Sequence, residues 1–99
     1  MDFVKTFNNY CDTVIGSKKI AIPDKNLAQA VRRQEFIVNY KTMKMYLADI
    51  FSKELENIEG QAHRENNPLT LEQRKEMRQT GENKIKDFVE TAENEFQSN

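Results

Sequence analysis

Several residue types that build common functional sites are scarce in this chain of 99 residues. Its one cysteine, Cys11, excludes a disulfide within the chain, and its one histidine, His63, excludes the paired imidazoles of many transition-metal sites. With only two prolines and three glycines, turn-forming residues are few. This scarcity, together with abundant Glu, Lys, Gln and Asn, favours helices over a sheet of short strands.

Long apolar runs and targeting features are also missing. No stretch approaches the ~18–20 apolar residues of a membrane-spanning helix. The first residues, Met-Asp-Phe-Val-Lys, lack the basic and apolar regions of a signal peptide. With a single cysteine, these features predict a soluble protein in the reducing cytoplasm that does not associate with a membrane.

No strong excess of charge is present, since the net charge is −1. This balance argues against bulk electrostatic binding to nucleic acid or to an anionic membrane. The charge is nevertheless uneven: residues 1–50 carry eight Lys/Arg and five Asp/Glu, whereas residues 51–99 carry seven and eleven. Such polarity suits head-to-tail or antiparallel self-association, or a basic patch on one half, although a solvated surface is the commoner explanation.

Signatures of catalysis and cofactor binding are absent as well. The chain has no Gly-rich phosphate loop, no Cys-x-x-Cys, no Gly-x-Ser-x-Gly and no calcium-loop pattern. We interpret Cys11 as a partly buried small apolar residue and His63 as an exposed loop residue, because neither has a recognisable catalytic partner. The sequence therefore predicts a protein that is not an enzyme and holds no metal or cofactor.

What the chain does contain is helical periodicity in a single domain. The spacing of Phe3, Phe7, Tyr10 and Val14 predicts a first helix over residues 2–15, with Asp2 as its N-cap. We expect residues 17–23 to be an extended connection that places Ile20 or Ile22 against the core. A polar loop over residues 60–69 and a capping box at Thr70 precede a last helix over residues 71–96, which Gly81 can bend.

A long helix over residues 24–59 is the dominant predicted element, opened by Asp24 as N-cap and closed by Gly60. It carries two apolar stripes on roughly opposite sides. At ~1.5 Å per residue it is ~54 Å long, which requires a kink or an elongated molecule. We therefore expect an all-α, elongated three-helix arrangement that is oligomeric. The first stripe comprises Leu27, Val31, Gln34 and Val38, and the second Phe36, Tyr40, Met43, Leu47, Ile50, Phe51, Leu55 and Ile58.

The centre of the long helix is the predicted protein interface. One short helix and one half-apolar helix provide too little surface to cover two faces of such a long rod, so helix pairing between chains, as in a coiled coil, would complete the burial. We hypothesise a helical interaction protein that self-associates and binds, blocks or joins a larger protein assembly. Its composition is compatible with a phage or mobile-element accessory protein. The predicted anchors are Phe36, Tyr40, Met43, Tyr46, Leu47 and Phe51.

A basic face on the same helix supports an alternative hypothesis. Arg33, Tyr40 and Lys44 share a helical stripe in which cations could follow phosphates while the aromatic ring stacks on a base. A core stripe fringed by extended cationic side chains explains the same pattern. Under this alternative the protein is a small nucleic-acid-binding regulator, and its contacts are Arg32, Arg33, Lys41 and Lys44.

Overall fold

Three α-helices form the fold in the computed structural model, which describes residues 2–98. They are α1 (Phe3–Gly16), α2 (Gln29–Arg64) and α3 (Leu71–Ser98), and no β-strand occurs within the described range. The molecule measures 57 × 21 × 18 Å. Its radius of gyration of 16.7 Å exceeds the ~13 Å of a compact domain of this size. The predicted elongated all-α arrangement is confirmed.

The start of α1 follows the sequence prediction. Asp2 has an extended backbone, and its side chain accepts a hydrogen bond of 3.0 Å from the backbone N–H of Lys5. This contact satisfies one of the free N–H groups at the helix start and places a negative charge at the positive end of the helix dipole. The buried face of α1 carries Phe3, Phe7 and Cys11.

The bounds of α2 differ from the prediction by five residues at each end. Asp24 does not cap the helix, because its carboxylate accepts a 2.9 Å hydrogen bond from Asn26 N–H and closes a local turn. At the other end Gly60 stays helical, and Asn66 takes the left-handed conformation (φ 57°) expected of a helix stop. The predicted limits at Asp24 and Gly60 were therefore wrong, and His63 lies in the last helical turn rather than in a loop.

The capping box of α3 is present. Thr70 N–H donates to Gln73 Oε1 over 2.8 Å, and Gln73 N–H donates to Thr70 Oγ1 over 3.0 Å. The helix continues through Gly81, which is buried. A Cβ at this position would lie 3.3 Å from Cδ2 of Phe51 and 3.7 Å from the ring of Phe7. Gly81 thus lets α3 approach two aromatic side chains closely.

One half of the molecule contains all three helices. α2 and α3 form an antiparallel pair, and α1 packs on the C-terminal half of α2, where the rings of Phe7 and Tyr10 meet Phe51 edge-on at centroid distances of 6.3 and 6.4 Å. An ion pair between Asp12 and Lys84 joins α1 to α3. This end therefore has the geometry of a small bundle with a shared apolar core.

The other half lacks a third helix. Beyond α1 the extended segment 17–28 continues alongside the N-terminal half of α2, with the Lys18 ammonium 5.2 Å from the ring centroid of Tyr46. Asn39 Nδ2 donates a 3.1 Å hydrogen bond to the carbonyl of Ala21, and Ile20 is buried. The prediction of an extended connection with an isoleucine against the core is confirmed. Among the described residues, those that cover α2 here belong to this segment and to the C-terminal half of α3.

Candidate interaction surface

Three of the predicted interface anchors belong to the core of the molecule. Phe36, Leu47 and Phe51 are buried within the chain itself. The ring of Phe36 stacks on Phe96 of α3 at 4.4 Å, and Phe51 packs against the aromatic residues of α1. These three side chains cannot contact a partner while the fold is intact, so their assignment as anchors is corrected. Sequence reasoning underestimated how much of this face α3 covers.

The other three predicted anchors are partly available. Tyr40 and Met43 are half-buried and pack against the core. Tyr46 is 47% exposed and lies under the Lys18 ammonium. Its ring is thus partly occupied by a cation–π contact, which is worth roughly 0.5–1 kcal/mol at an exposed position.

The first stripe of the sequence analysis, and not the second, marks the exposed apolar face of α2. Val31 and Val38 are each 53% exposed, and Met45 is 75% exposed. They follow one another at intervals of seven residues, close to two helical turns, and therefore lie on one side of the helix. Leu27, 43% exposed, precedes them. We call Val31, Val38 and Met45 the outer stripe. The sequence analysis did not assign Met45 to this stripe, although its spacing of seven from Val38 was a usable signal.

Charged residues of both signs border the outer stripe. Glu35, Lys41 and Asp49 are exposed and lie within about 60° of the stripe at 100° per residue. Asp49 pairs with Lys53 at 3.0 Å, and this hydrogen bond raises the pKa of Lys53. Both partners are largely exposed, so the pair stabilises α2 only weakly and can rearrange.

A shallow groove between α2 and α3 is the second surface considered. It has a volume of about 490 Å³, and its apolar floor includes Ala48, Ile85 and Val89. Ile85 and Val89 are buried core residues, so little apolar area is open to a ligand. The rim combines cations with carboxylates, namely Lys44 and Lys86 with Glu82, Glu90 and Glu93. This mixture gives the groove no strong preference for a ligand of one charge.

Two of the four cations of the alternative hypothesis, Arg32 and Lys44, have neighbours that make them less available to a phosphate. Arg32 lies with its guanidinium 5.0 Å from the ring centroid of Phe96, and its Nε and Nη2 are buried without a hydrogen-bond partner in the described structure. Lys44 borders the α2–α3 groove opposite carboxylates, whereas Lys41 flanks the outer stripe. Arg33 lines a cleft with Phe36 and Phe96. Arg32 is therefore engaged within the chain, and the carboxylates beside Lys44 weaken the attraction of this surface to a phosphate backbone.

Similarity to other proteins adds no functional assignment. The chain matches no protein-family model, no curated protein and no solved structure. Its functional interpretation therefore depends on its own exposed and buried side chains. Among these, the outer stripe is a run of three regularly spaced apolar side chains that the fold leaves exposed.

Cys11 is buried, and its thiol is protonated near neutral pH. Cys11 is fully buried, and burial raises the pKa of its thiol to about 11, against a smaller opposing effect of Lys84. The thiol therefore stays protonated and is a poor nucleophile near neutral pH. Within residues 2–98, no group of three His, Cys, Asp or Glu side chains could hold a metal ion. No helix in that range combines the length and apolar character needed to cross a membrane.

Burial of Cys11 makes alkaline stability a test of the packing of α1. Because the thiol has a pKa of about 11 in the folded chain and 9.0 as its ordinary value, the unfolded chain releases the proton first as pH rises. We expect the free energy of unfolding to fall between pH 9 and 11 by up to about 2 kcal/mol. Urea titrations monitored by circular dichroism at pH 8, 9, 10 and 11 would measure this change.

Cys11→Ala is the control for the alkaline titration. It removes the titrating thiol, so its stability should change less between pH 9 and 10 than that of the wild type. Burial also raises the pKa of Tyr10, with a smaller effect of Glu54, and this residue adds a loss of the same sign above pH 10 in both proteins. If the free energy of unfolding fell equally for the two proteins from pH 9 to 10, the burial of Cys11 would be contradicted.

Proposed function

We propose that this protein is a non-enzymatic helical interaction protein that self-associates through the outer face of α2 and binds, blocks or joins a larger protein assembly. The observation that supports the proposal is the outer stripe, in which three apolar side chains more than half exposed recur every seven residues. A seven-residue apolar repeat on an exposed helix is the pattern through which helices of separate chains pair.

The incomplete half of the molecule supports the same proposal. α1 covers only the C-terminal half of α2, and the N-terminal half has an extended segment in place of a third helix. Val31, Val38 and Met45 all lie in this thinner half. A helix from a second copy, placed on the outer stripe, would add a packing layer on the side of α2 opposite the core.

The strength of self-association can be estimated from the apolar surface. Full burial of a Val or Met side chain contributes about 1.5–3 kcal/mol, and these side chains have roughly half of that remaining to gain. Six such side chains from two copies give roughly 6 kcal/mol, to which the two copies of Leu27 can add, and from which the cost of association must be subtracted. Since 6 kcal/mol corresponds to about 40 μM before the cost of association is subtracted, we expect weaker self-association, with a dissociation constant of about 0.1–1 mM.

The alternative of nucleic-acid binding has less structural support. Arg32 is engaged with Phe96, and Lys44 faces carboxylates across the α2–α3 groove. Nearby glutamates would repel the phosphates that Lys44 would have to neutralise. A shift of labelled nucleic acid at low salt that weakens steeply with added salt would favour this alternative instead.

Replacing the outer stripe with polar side chains should abolish self-association without unfolding the chain. In the variant Val38→Gln/Met45→Gln, glutamine keeps good helix propensity but removes the apolar contact. We expect the dissociation constant to rise at least about tenfold, because apolar surface of two residues is lost from each copy. Sedimentation equilibrium or light scattering over about 5–500 μM protein would measure the change.

Leu71→Gln is the matched control, because Leu71 is 60% exposed but lies at the start of α3, away from the outer stripe. Its solution mass should equal that of the wild type at every concentration. A wild type that remains monomeric at 500 μM would contradict self-association. For the proposed larger partner, the double variant should also fail to retain any protein that the wild type captures.

A further inference from the structure

We propose that α1 is a lid that opens as a unit, with the segment 17–28 as its hinge, while α2 and α3 stay paired beneath it. Folded chains open locally in cooperative units, and the free energy of each opening depends on the contacts that the unit makes with the rest of the chain. In this molecule α2 and α3 pair over a much longer distance than α1 covers. The outer stripe takes no part in the motion, so self-association is not required for it.

The pair of α2 and α3 has apolar contacts on both sides of the surface that α1 covers. The rings of α1 meet α2 at Phe51. In one direction Phe36, about 22 Å along α2 from Phe51, stacks on Phe96 of α3 at 4.4 Å. In the other direction Ala62, about 16 Å from Phe51, is 0% exposed. The two long helices therefore keep contacts near both of their ends when α1 is removed.

α1 itself is held through a single face. Its buried side chains are Phe3, Phe7 and Cys11. The ion pair between Asp12 and Lys84 adds little, because the Asp12 side chain is 64% exposed. A helix of 14 residues is only marginally stable by itself in water, so the position of α1 depends on this one face. Loss of the contacts of this face releases the whole helix.

The segment 17–28 is suited to act as the hinge. It contains no helix or strand, and its 12 residues can span up to about 40 Å, roughly twice the length of α1. A hydrogen bond of 3.1 Å from Asn39 Nδ2 to the carbonyl of Ala21 ties its middle to α2, where Ile20 is buried. α1 can therefore leave α3 without displacing Gln29, the first residue of α2.

The lid covers an aromatic recess on α2 and α3. The rings of Phe7 and Tyr10 meet Phe51 edge-on at centroid distances of 6.3 and 6.4 Å. The ring of Phe7 also lies 3.7 Å from the position of a Cβ on Gly81. Opening removes these rings, so Phe51 and the backbone of α3 at Gly81 become accessible. It also exposes Cys11, which is 0% exposed when the lid is closed.

The thiol of Cys11 reports the opening, because it is fully buried in the middle of α1. Labelling with a maleimide at pH 7 and about 5 μM protein, far below the expected dissociation constant, is followed at several urea concentrations. Its rate, divided by that of a short peptide with the same cysteine, gives the opening equilibrium. We expect labelling at least about tenfold faster than global unfolding allows. Its urea dependence should be about a quarter to a half of the global value, because residues 3–28 are about a quarter of the chain.

Two variants separate opening of the lid from unfolding of the whole chain. In Cys11→Ala/Ala62→Cys the thiol moves to a buried position of α2, where labelling should be at least about tenfold slower. Phe96→Ala weakens the pairing of α2 with α3. It should lower the free energy of global unfolding, measured by circular dichroism, yet change the labelling of Cys11 by less than about twofold.

Three results would overturn the lid. The first is labelling of Cys11 that matches global unfolding in free energy and in urea dependence, or that accelerates in Phe96→Ala in proportion to the lost stability. The second is an equal labelling rate for the thiols at positions 11 and 62. The third is labelling of Cys11 that does not depend on urea, because it would come from small fluctuations that leave α1 in place.

Discussion

Phe7→Ala is expected to lower the free energy of unfolding by about 3–5 kcal/mol, a large part of the total for a chain of this size. Phe7 is 1% exposed and lies between α2 and α3, with its ring 6.3 Å from that of Phe51 and in contact range of Gly81. Its removal would leave a cavity where all three helices meet, and rigid helices cannot close such a cavity fully. Urea denaturation at a fixed protein concentration would measure the loss.

Asn9→Ala is the control for Phe7→Ala, because Asn9 lies on the exposed side of the same helix. We expect its effect to stay within about 0.5 kcal/mol of zero. If Phe7→Ala were equally mild, α1 would not pack as described. If the free energy of unfolding also depended less steeply on urea concentration, and not only the midpoint of unfolding shifted, α1 would detach separately from α2 and α3.

Gly81→Leu should lower the free energy of unfolding by about 3 kcal/mol through overpacking. An added Cβ already reaches 3.3 Å from Phe51, so the rest of a leucine side chain would displace the rings of Phe51 and Phe7. The smaller substitution Gly81→Ala has two opposing effects on the free energy of unfolding. Alanine stabilises the helix by about 1 kcal/mol relative to glycine, whereas its Cβ requires Phe51 to move a few tenths of an ångström. Thermal and urea unfolding of both variants would measure these effects.

The matched control for Gly81 is Gly60, the glycine inside α2. A Cβ added to Gly60 would lie 3.3 Å from Nη1 of Arg64. This atom is at the end of a long, flexible side chain that can move aside. We therefore expect Gly60→Leu to be neutral or to stabilise the chain by roughly 0.5–1 kcal/mol through helix propensity. If Gly81→Leu and Gly60→Leu lowered the free energy of unfolding by similar amounts, close packing of α3 against the rings would not explain the glycine at position 81.

Local signals in the sequence predicted the ends of α1 and α3 well. The carboxylate of Asp2 and the Thr70–Gln73 pair form hydrogen bonds within a few residues, so their geometry depends little on the rest of the fold. The limits of α2 were harder to predict, because an aspartate side chain can either cap a helix or close a turn. The Asp24 side chain closes a turn by accepting a hydrogen bond from Asn26 N–H. Gly60 stays helical because a weak helix former is tolerated inside a long packed helix.

The candidate surface was only partly predictable from the sequence. Periodicity separated two stripes on the long helix, but it does not say which one another helix of the same chain covers. That choice depends on the pairing of α3 with α2, through contacts such as Phe36 with Phe96, which are sixty residues apart in sequence. The predicted anchors Phe36, Leu47 and Phe51 therefore pack within the chain and not against a second protein. The sequence pattern of a buried apolar residue is the same whether its neighbour belongs to the same chain or to another.

The position of α1 in the chain has a consequence for the order of folding. α2 and α3 are joined by the short turn 65–70, so their pairing closes small loops at a low cost in chain entropy. α1 must instead reach α3 across most of the chain, as the Asp12–Lys84 pair with a separation of 72 residues illustrates. Because contacts distant in sequence form last when local ones are available, docking of α1 is expected to complete the fold after the α2–α3 hairpin is in place. Before α1 docks, the side chain of Phe51 and the surface of α3 at Gly81 are therefore exposed to solvent.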